Sequence, residues 1–226
     1  ESTDILANLA GINKSTSVLD IGSGLGGPAM HIARTRGCKV VGLDLVDSNI
    51  MTANSRAKER ELQNLVTFKL GNATDMPFPA NSFNIIIGQD AWCHIPDKEK
   101  MISECARVIA PNGTIAFTDW LDIGDMQGDY RTEVLDAIAA SEPANLDKYV
   151  NWLTHNGFTI ISQEDISTIF KAQYDAIITR LKSLQELISE RFSPKIYRIV
   201  QQKNECIREA FSDEMLGGGR IIAKRL

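Results

Sequence analysis

Short, almost wholly apolar runs alternate with amphipathic stretches through the first half of this 226-residue chain, and nothing else in it constrains folding as strongly. A strand that is apolar on both faces has to be covered on both, and helical crossovers between such strands make neighbouring strands parallel. The runs are SVLDIG (17–22), CKVVGLDL (38–45), VTFKLGNA (66–73), FNIIIGQDAW (83–92) and GTIAFTDW (113–120). Between them apolar spacing predicts helices from about Pro28 to Arg36, over 48–62 with Ser48 as cap, and over 97–109, stopping before Pro111. STDILANLAGI (2–12) reads as a further helix at the start, capped by Ser2 or Thr3.

The second half changes character. Residues 121–155 are mostly helical in pattern, with DKYVNWLTH (147–155) the clearest segment. GFTIISQEDIS (157–167) reads as a strand, 168–192 as a long helix that resumes after Pro194 to about 212, and GGGRIIAKRL (217–226) as a last strand. A late strand joined by a long excursion to a C-terminal strand suits a sheet whose final strands pair as a hairpin. The expected architecture is α/β: a doubly wound, mostly parallel seven-stranded sheet with an antiparallel last strand and a helical cap. One domain spans 1–226, with 1–120 as a cofactor-binding half and 121–156 and 168–212 as cap insertions.

The turn VLDIGSGLGGPAM (18–30) runs from an apolar strand through four glycines into a helix, and three cofactor classes could claim it. A phosphate-binding P-loop needs Gly-Lys-Ser/Thr, which is missing. A dinucleotide fingerprint matches formally, with Gly22, Gly24 and Gly27 in place. The third reading is the acidic Gly-x-Gly-x-Gly loop of S-adenosylmethionine binders, fitted by Asp20, Gly22, Gly24 and Gly26. Electrostatics separates the last two: pyrophosphate seeks N–H groups at a helix N-terminus, and Asp20 would repel it while suiting a cationic tail. Asp44, ending the second strand, stands where a carboxylate accepts from ribose hydroxyls.

Bulk properties narrow the partners. Lys and Arg number 24 against 29 Asp and Glu, a net charge of −5 with no electrostatic footprint for nucleic acid. No apolar run approaches the ~20 residues of a membrane span. Cys38, Cys93, Cys105 and Cys206 are scattered, suggesting neither a zinc site nor a disulfide framework and fitting a reducing, cytoplasmic setting. No charged-then-apolar leader precedes the first helix.

The set VLDIGSGLGG, VVGLDL, GNATDMPF, FNIIIGQDAWCHI and RVIAPNGTIAFTD, in this order over roughly residues 16–120, resembles the motif series of class I S-adenosylmethionine-dependent methyltransferases. Within that superfamily it is similar to small-molecule enzymes of the phosphoethanolamine and sarcosine/dimethylglycine N-methyltransferase type, and shares much with O- and C-methyltransferases of natural products, sterols and tocopherols. The resemblance implies a Rossmann-like fold and S-adenosyl-L-methionine as cofactor. It also implies roles: Gly22 and Gly24 admit the methionine moiety, Asp44 and Leu45 hold the ribose and one adenine face, and Gln89 meets the methionine carboxylate or ammonium. Asn72 stands where the family usually has Asp, reading the adenine amine through its side-chain oxygen with the Ala73 N–H beside it.

On the acceptor side, Asp90, Trp92, His94, Asp119 and Trp120 lie at carboxyl ends of strands, where open α/β sheets bind ligands. The resemblance places an active-site His at His94, in Asp90-Ala91-Trp92-Cys93-His94, to deprotonate or orient the acceptor; on residue type alone a structural His is as good a reading. The family pairs that His with a Tyr from an N-terminal segment, and no Tyr precedes Tyr130 here. Asp90 would pair with an ammonium or with the cofactor. Trp92 and Trp120 either enclose a cationic amine or pack the cap. The expected acceptor is a small-molecule amine; a natural-product or lipid-like phenol is the alternative. Gln89-Asp90-Ala91-Trp92 stands where base-amino nucleic-acid methyltransferases carry an Asp/Asn-Pro-Pro-aromatic motif. The stripe Ile177, Ile178, Leu181, Leu184, Leu187 and Ile188 reads as core or as the contact of a homodimer through the C-terminal helices.

Overall fold

The computed structural model describes residues 2–140 and 142–226. Its seven strands are β1 (Ser17–Ile21), β2 (Lys39–Asp44), β3 (Val66–Leu70), β4 (Phe83–Gln89), β5 (Ile109–Asp122), β6 (Phe158–Asp165) and β7 (Leu216–Arg225). They form one sheet in the order β3-β2-β1-β4-β5-β7-β6. The first five pair in parallel, and β7 inserts antiparallel between β5 and β6. The helices are α1 (Ser2–Leu9), α2 (Gly27–Arg36), α3 (Asp47–Glu59), α4 (Lys98–Val108), α5 (Gly128–Ile138), α6 (Leu146–His155), α7 (Ser167–Ser183), α8 (Gln185–Arg191) and α9 (Pro194–Ser212), with a one-turn 3-10 helix at Trp92–His94.

Alternation along the strands divides the core into two layers. Leu19, Ile21, Ile86, Phe117 and Ile221 pack toward α4 and α6, joined by Trp92 and Tyr149. Val18, Val40, Ile85, Ile87 and Ile222 pack on the opposite face against α1, α2 and α3. A third cluster, with Val134, Phe170, Ile207 and Phe211, holds the cap helices α5, α7 and α9 together over the end of the sheet. All four cysteines are free. Among the described residues no helix is long and apolar enough to cross a membrane.

Element boundaries depart from the sequence expectation where a local bond intervenes. α3 begins at Asp47 rather than Ser48, and no side chain caps it; the Asp44 carboxylate instead accepts from the Val46 N–H at 2.9 Å. β4 stops at Gln89 because Asp90 turns into the left-handed region (φ 55°), its N–H donating to the Thr118 carbonyl at 2.8 Å. β5 starts four residues earlier than expected and absorbs the Asn112-Gly113 turn as an irregularity against β4. The helix expected over 168–192 breaks at Leu184 into α7 and α8. α1 ends at Leu9, before the positive-φ Gly11.

Candidate active site

A cavity of about 680 Å³ opens at the carboxyl ends of β1, β2 and β4. Asp20, Gly22, Gly24, Asp44, Leu45, Asn72, Ala73, Gln89, Asp90 and His94 all line it. The structure thus brings together ten of the expected residues from four separate segments. Gly26, which also belongs to that reading, sits behind the wall as the left-handed N-cap of α2.

The glycine loop forms one end. Gly24 (φ 51°) would carry a Cβ into open space, so its backbone faces the cavity bare. Gly22 (φ 75°) has a different reason to be glycine: its Cβ would lie 2.7 Å from that of Ala91, so the loop and the β4 turn could not close together. Behind them Asp20 is buried, and its Oδ2 has no partner; the Ser23 hydroxyl is likewise buried and unpaired. Burial, and secondarily the nearby Asp44 carboxylate, pushes the Asp20 carboxyl up to about 7. An unsatisfied buried acid at a cavity wall is costly alone and suits a cationic group.

Asp44 is preset. Its Oδ2 accepts from the Gly24 N–H at 2.7 Å, and its Oδ1 accepts from the Val46 N–H at 2.9 Å and Asn49 Nδ2 at 3.2 Å. A carboxylate has about four acceptor sites, so capacity remains for a hydroxyl. Asn72 differs from expectation: its Oδ1 accepts from Thr74 N at 2.9 Å and Thr74 Oγ1 at 3.0 Å, so the oxygen expected to read an adenine amine is already engaged. Gln89 is held from a distance by α1, accepting from Thr3 Oγ1 at 2.9 Å and donating to Ser2 Oγ at 3.0 Å. A contact across 86 residues leaves no local signal in the sequence.

At the other end, Asp90 Oδ1 accepts from Thr118 Oγ1 at 2.6 Å, and burial raises the Asp90 carboxyl above its ordinary range against that bond. His94 is exposed, with Nδ1 2.9 Å from the Ala139 carbonyl. A carbonyl can only accept, so Nδ1 carries the proton and, in the neutral ring, Nε2 carries the lone pair.

The two tryptophans do not line the cavity. Trp92 is fully buried: its Nε1 donates to the Ile21 carbonyl at 3.2 Å and its ring stacks on Phe117 at 4.1 Å. It lies on the inward side of the 3-10 turn, opposite His94. Trp120 points to the sheet face under the cap, edge-on to Tyr174 at 5.5 Å and near Phe211 at 6.3 Å. Neither forms an enclosure for an amine here; both pack. Asp119, expected on the acceptor side, lies instead in a polar cluster below His94, where it accepts from the Cys93 N–H at 3.0 Å and the Tyr149 hydroxyl at 2.7 Å.

Sequence comparison finds a methyltransferase domain over residues 19–117, the stretch that carries the loop at the end of β1 and the carboxylate at the end of β2. The chain carries a class I S-adenosylmethionine-dependent methyltransferase domain. The chain is 28% identical over 178 residues to a glycine/sarcosine/dimethylglycine N-methyltransferase of Actinopolyspora halophila, covering 79% of this chain and 32% of that protein. It is 29% identical over 228 residues to a 27-O-demethylrifamycin SV methyltransferase of Amycolatopsis mediterranei, covering 99% and 82%. It thus spans about a third of the length of the first relative and of several others. The fold superposes with TM-score 0.91 on phosphoethanolamine N-methyltransferase 2 of Haemonchus contortus, solved with phosphomonomethylethanolamine and S-adenosylhomocysteine, at 22% identity over 99% of this chain and 52% of that one. The methyltransferase cavity passes the physical test for the cofactor. It offers a bare glycine backbone at Gly24, an unpartnered acid at Asp20 for an ammonium or sulfonium, and a preset acceptor at Asp44 for a ribose diol.

Proposed function

We propose that this chain transfers the methyl group of S-adenosylmethionine to the nitrogen of a small amine. The observation that carries the reading is that Asp90 and His94 both line the cavity: a carboxyl group, and a ring whose Nδ1 is tied to the Ala139 carbonyl, which leaves the Nε2 lone pair of the neutral ring to take a proton. When bound, the cofactor supplies an electrophilic methyl on a sulfonium. Asp20 and Gln89 hold the methionine end, Asp44 and Leu45 the ribose and adenine, and Asn72 and Ala73 the adenine edge, where Asn72 now offers its amide NH₂. Asp90 attracts the acceptor as an ammonium; His94 Nε2 takes one of its protons, and the freed nitrogen lone pair faces the methyl. Positioning and exclusion of water carry most of the rate.

The N-methyltransferase relative supports an amine. The relative that spans the whole chain acts, by its name, on a rifamycin, and supports O-methyl transfer as a second reading. On either reading residues 1–120 serve the cofactor and 121–156 with 168–212 cover the acceptor, in a cytoplasmic enzyme consistent with four free thiols. Two copies pair through the C-terminal helices.

Calorimetry with S-adenosylmethionine against NAD tests the cofactor, and methyl release across ethanolamine phosphates, glycine derivatives and phenols tests the acceptor. His94→Gln should lower turnover by about 10²–10⁴-fold while leaving cofactor affinity intact. Turnover unchanged in that variant removes His94 from the mechanism.

A further inference from the structure

The Trp92–His94 turn is only three residues long, and its N-cap residue Ala91 provides no side-chain bond. So short a helix cannot hold its own ends. Both ends are held from outside by charged side chains that do not touch the cavity. At the leading end, Asp119 Oδ1 accepts from the Cys93 N–H at 3.0 Å, while its Oδ2 takes the Tyr149 hydroxyl of α6 at 2.7 Å. At the trailing end, Lys98 Nζ donates to the Ile95 carbonyl at 2.8 Å and lies 3.5 Å from that of Cys93. An anion thus meets the N-terminal N–H and a cation the C-terminal carbonyls, the arrangement a helix dipole favours.

Lys98 does one thing more. The same Nζ donates to the Glu142 carbonyl at 2.6 Å. Residues 139 and 142 belong to the connection that follows α5, and the Ala139 carbonyl is the one that fixes the His94 ring. One ammonium therefore ties the backbone under His94 to the segment that sets its tautomer. Asp119 and Lys98 are 1% and 3% exposed, so each is an expensive charge to bury. Burial holds the Lys98 ammonium below, and the Asp119 carboxyl above, the usual range, and each charge partly counters the other's shift. Apolar residues of like volume would fill the space, but could not hold the backbone groups of 93, 95 and 142.

We propose that Asp119 and Lys98 are positioning residues, which clamp the two ends of the Trp92–His94 turn and, through Glu142, hold His94 in the tautomer that presents Nε2 to the cavity. The proposal rests on His94 as the group that meets the acceptor, but its test does not need the acceptor. Nitrogen-15 spectra of histidine-labelled full chain distinguish the two neutral tautomers of a ring, and His94→Gln assigns its signals among the three histidines. The native chain should show the Nδ1–H form at His94. Lys98→Met should shift it toward the Nε2–H form preferred by a free imidazole, with S-adenosylmethionine affinity within about twofold of native, and Lys98→Arg should restore the native signal in part. Should Lys98→Met fail to fold, Tyr149→Phe removes one bond from Asp119 and keeps the ring; it should broaden or shift the same signals. Native His94 signals in a folded Lys98→Met, or in Tyr149→Phe where Lys98→Met does not fold, would overturn the proposal. If the tautomer responds while no amine is methylated, the reading of the acceptor fails and that of the clamp stands.

Discussion

Asp20 carries the sharpest chemical consequence of any single residue in this chain. Its carboxyl titrates near 7, chiefly because it is buried and next because Asp44 is close, against about 3.9 in an unfolded chain. Between those values the folded protein keeps a proton that the unfolded chain has lost. Asp20 therefore stabilises the free protein below about pH 4, and that contribution is lost as pH rises through 7. A bound sulfonium reverses the preference, since it favours the charged carboxylate. Affinity for S-adenosylmethionine should rise between pH 6 and pH 8, and Asp20→Asn should weaken it about tenfold and flatten the slope; calorimetry at several pH values checks both. Asp44→Ala should cost about 1.5–3 kcal/mol of cofactor binding, the scale of hydrogen bonds to a charged group. Residues at strand ends were legible because their chemistry follows from position: Asp20 and Asp44 fall where strand periodicity puts them, and Asp90 follows directly on the end of β4. Side-chain direction was not. Asn72 is correctly placed on the cavity, yet its oxygen is spent on Thr74, a local bond that Asn offers readily and that spacing alone does not reveal.

Among the elements, the β4 turn decides most. Asp90 in the left-handed region ends the strand, so the side chains of 90, 92 and 94 no longer share one face as strand periodicity predicts. That is why Trp92 goes inward while His94 goes out. Gly88 shows how tightly the ring is seated: a Cβ there would sit 2.1 Å from Trp92 Nε1. Trp92→Ala should therefore destabilise the fold by about 3–5 kcal/mol, measurable by denaturant unfolding, and Trp92→Phe less. Any residual effect on acceptor KM should follow stability, because the ring does not reach the cavity. The alternation of strands and helices was legible throughout; the breaks were not, since they depend on bonds between segments, as when the Thr118 carbonyl takes the Asp90 N–H.

For the whole molecule, the C-terminal helices bear on assembly. Of the apolar stripe on α7 and α8, Ile178 is buried, whereas Ile177 and Leu187 are 41% and 59% exposed. Phe192 just beyond is 64% exposed, and Ile196 and Ile199 on α9 are exposed as well. Sedimentation should give twice the 25.0 kDa chain mass, and Phe192→Asp should return a monomer. A native monomer ends the pairing proposal. The seven strands and their mostly parallel order could be read from apolar runs, but the place of β7 between β5 and β6 could not, because pairing partners far apart in sequence leave no periodic trace. That placement has a consequence for how the chain is made. β5 is synthesised well before β7, yet β7 covers its edge along nine residue pairs and separates it from β6. Until β7 emerges, a growing chain presents two open strand edges, each a template for a stray strand. The elements that line the cavity can assemble on the ribosome, while the cap helices α5, α7 and α9 wait for the last strand.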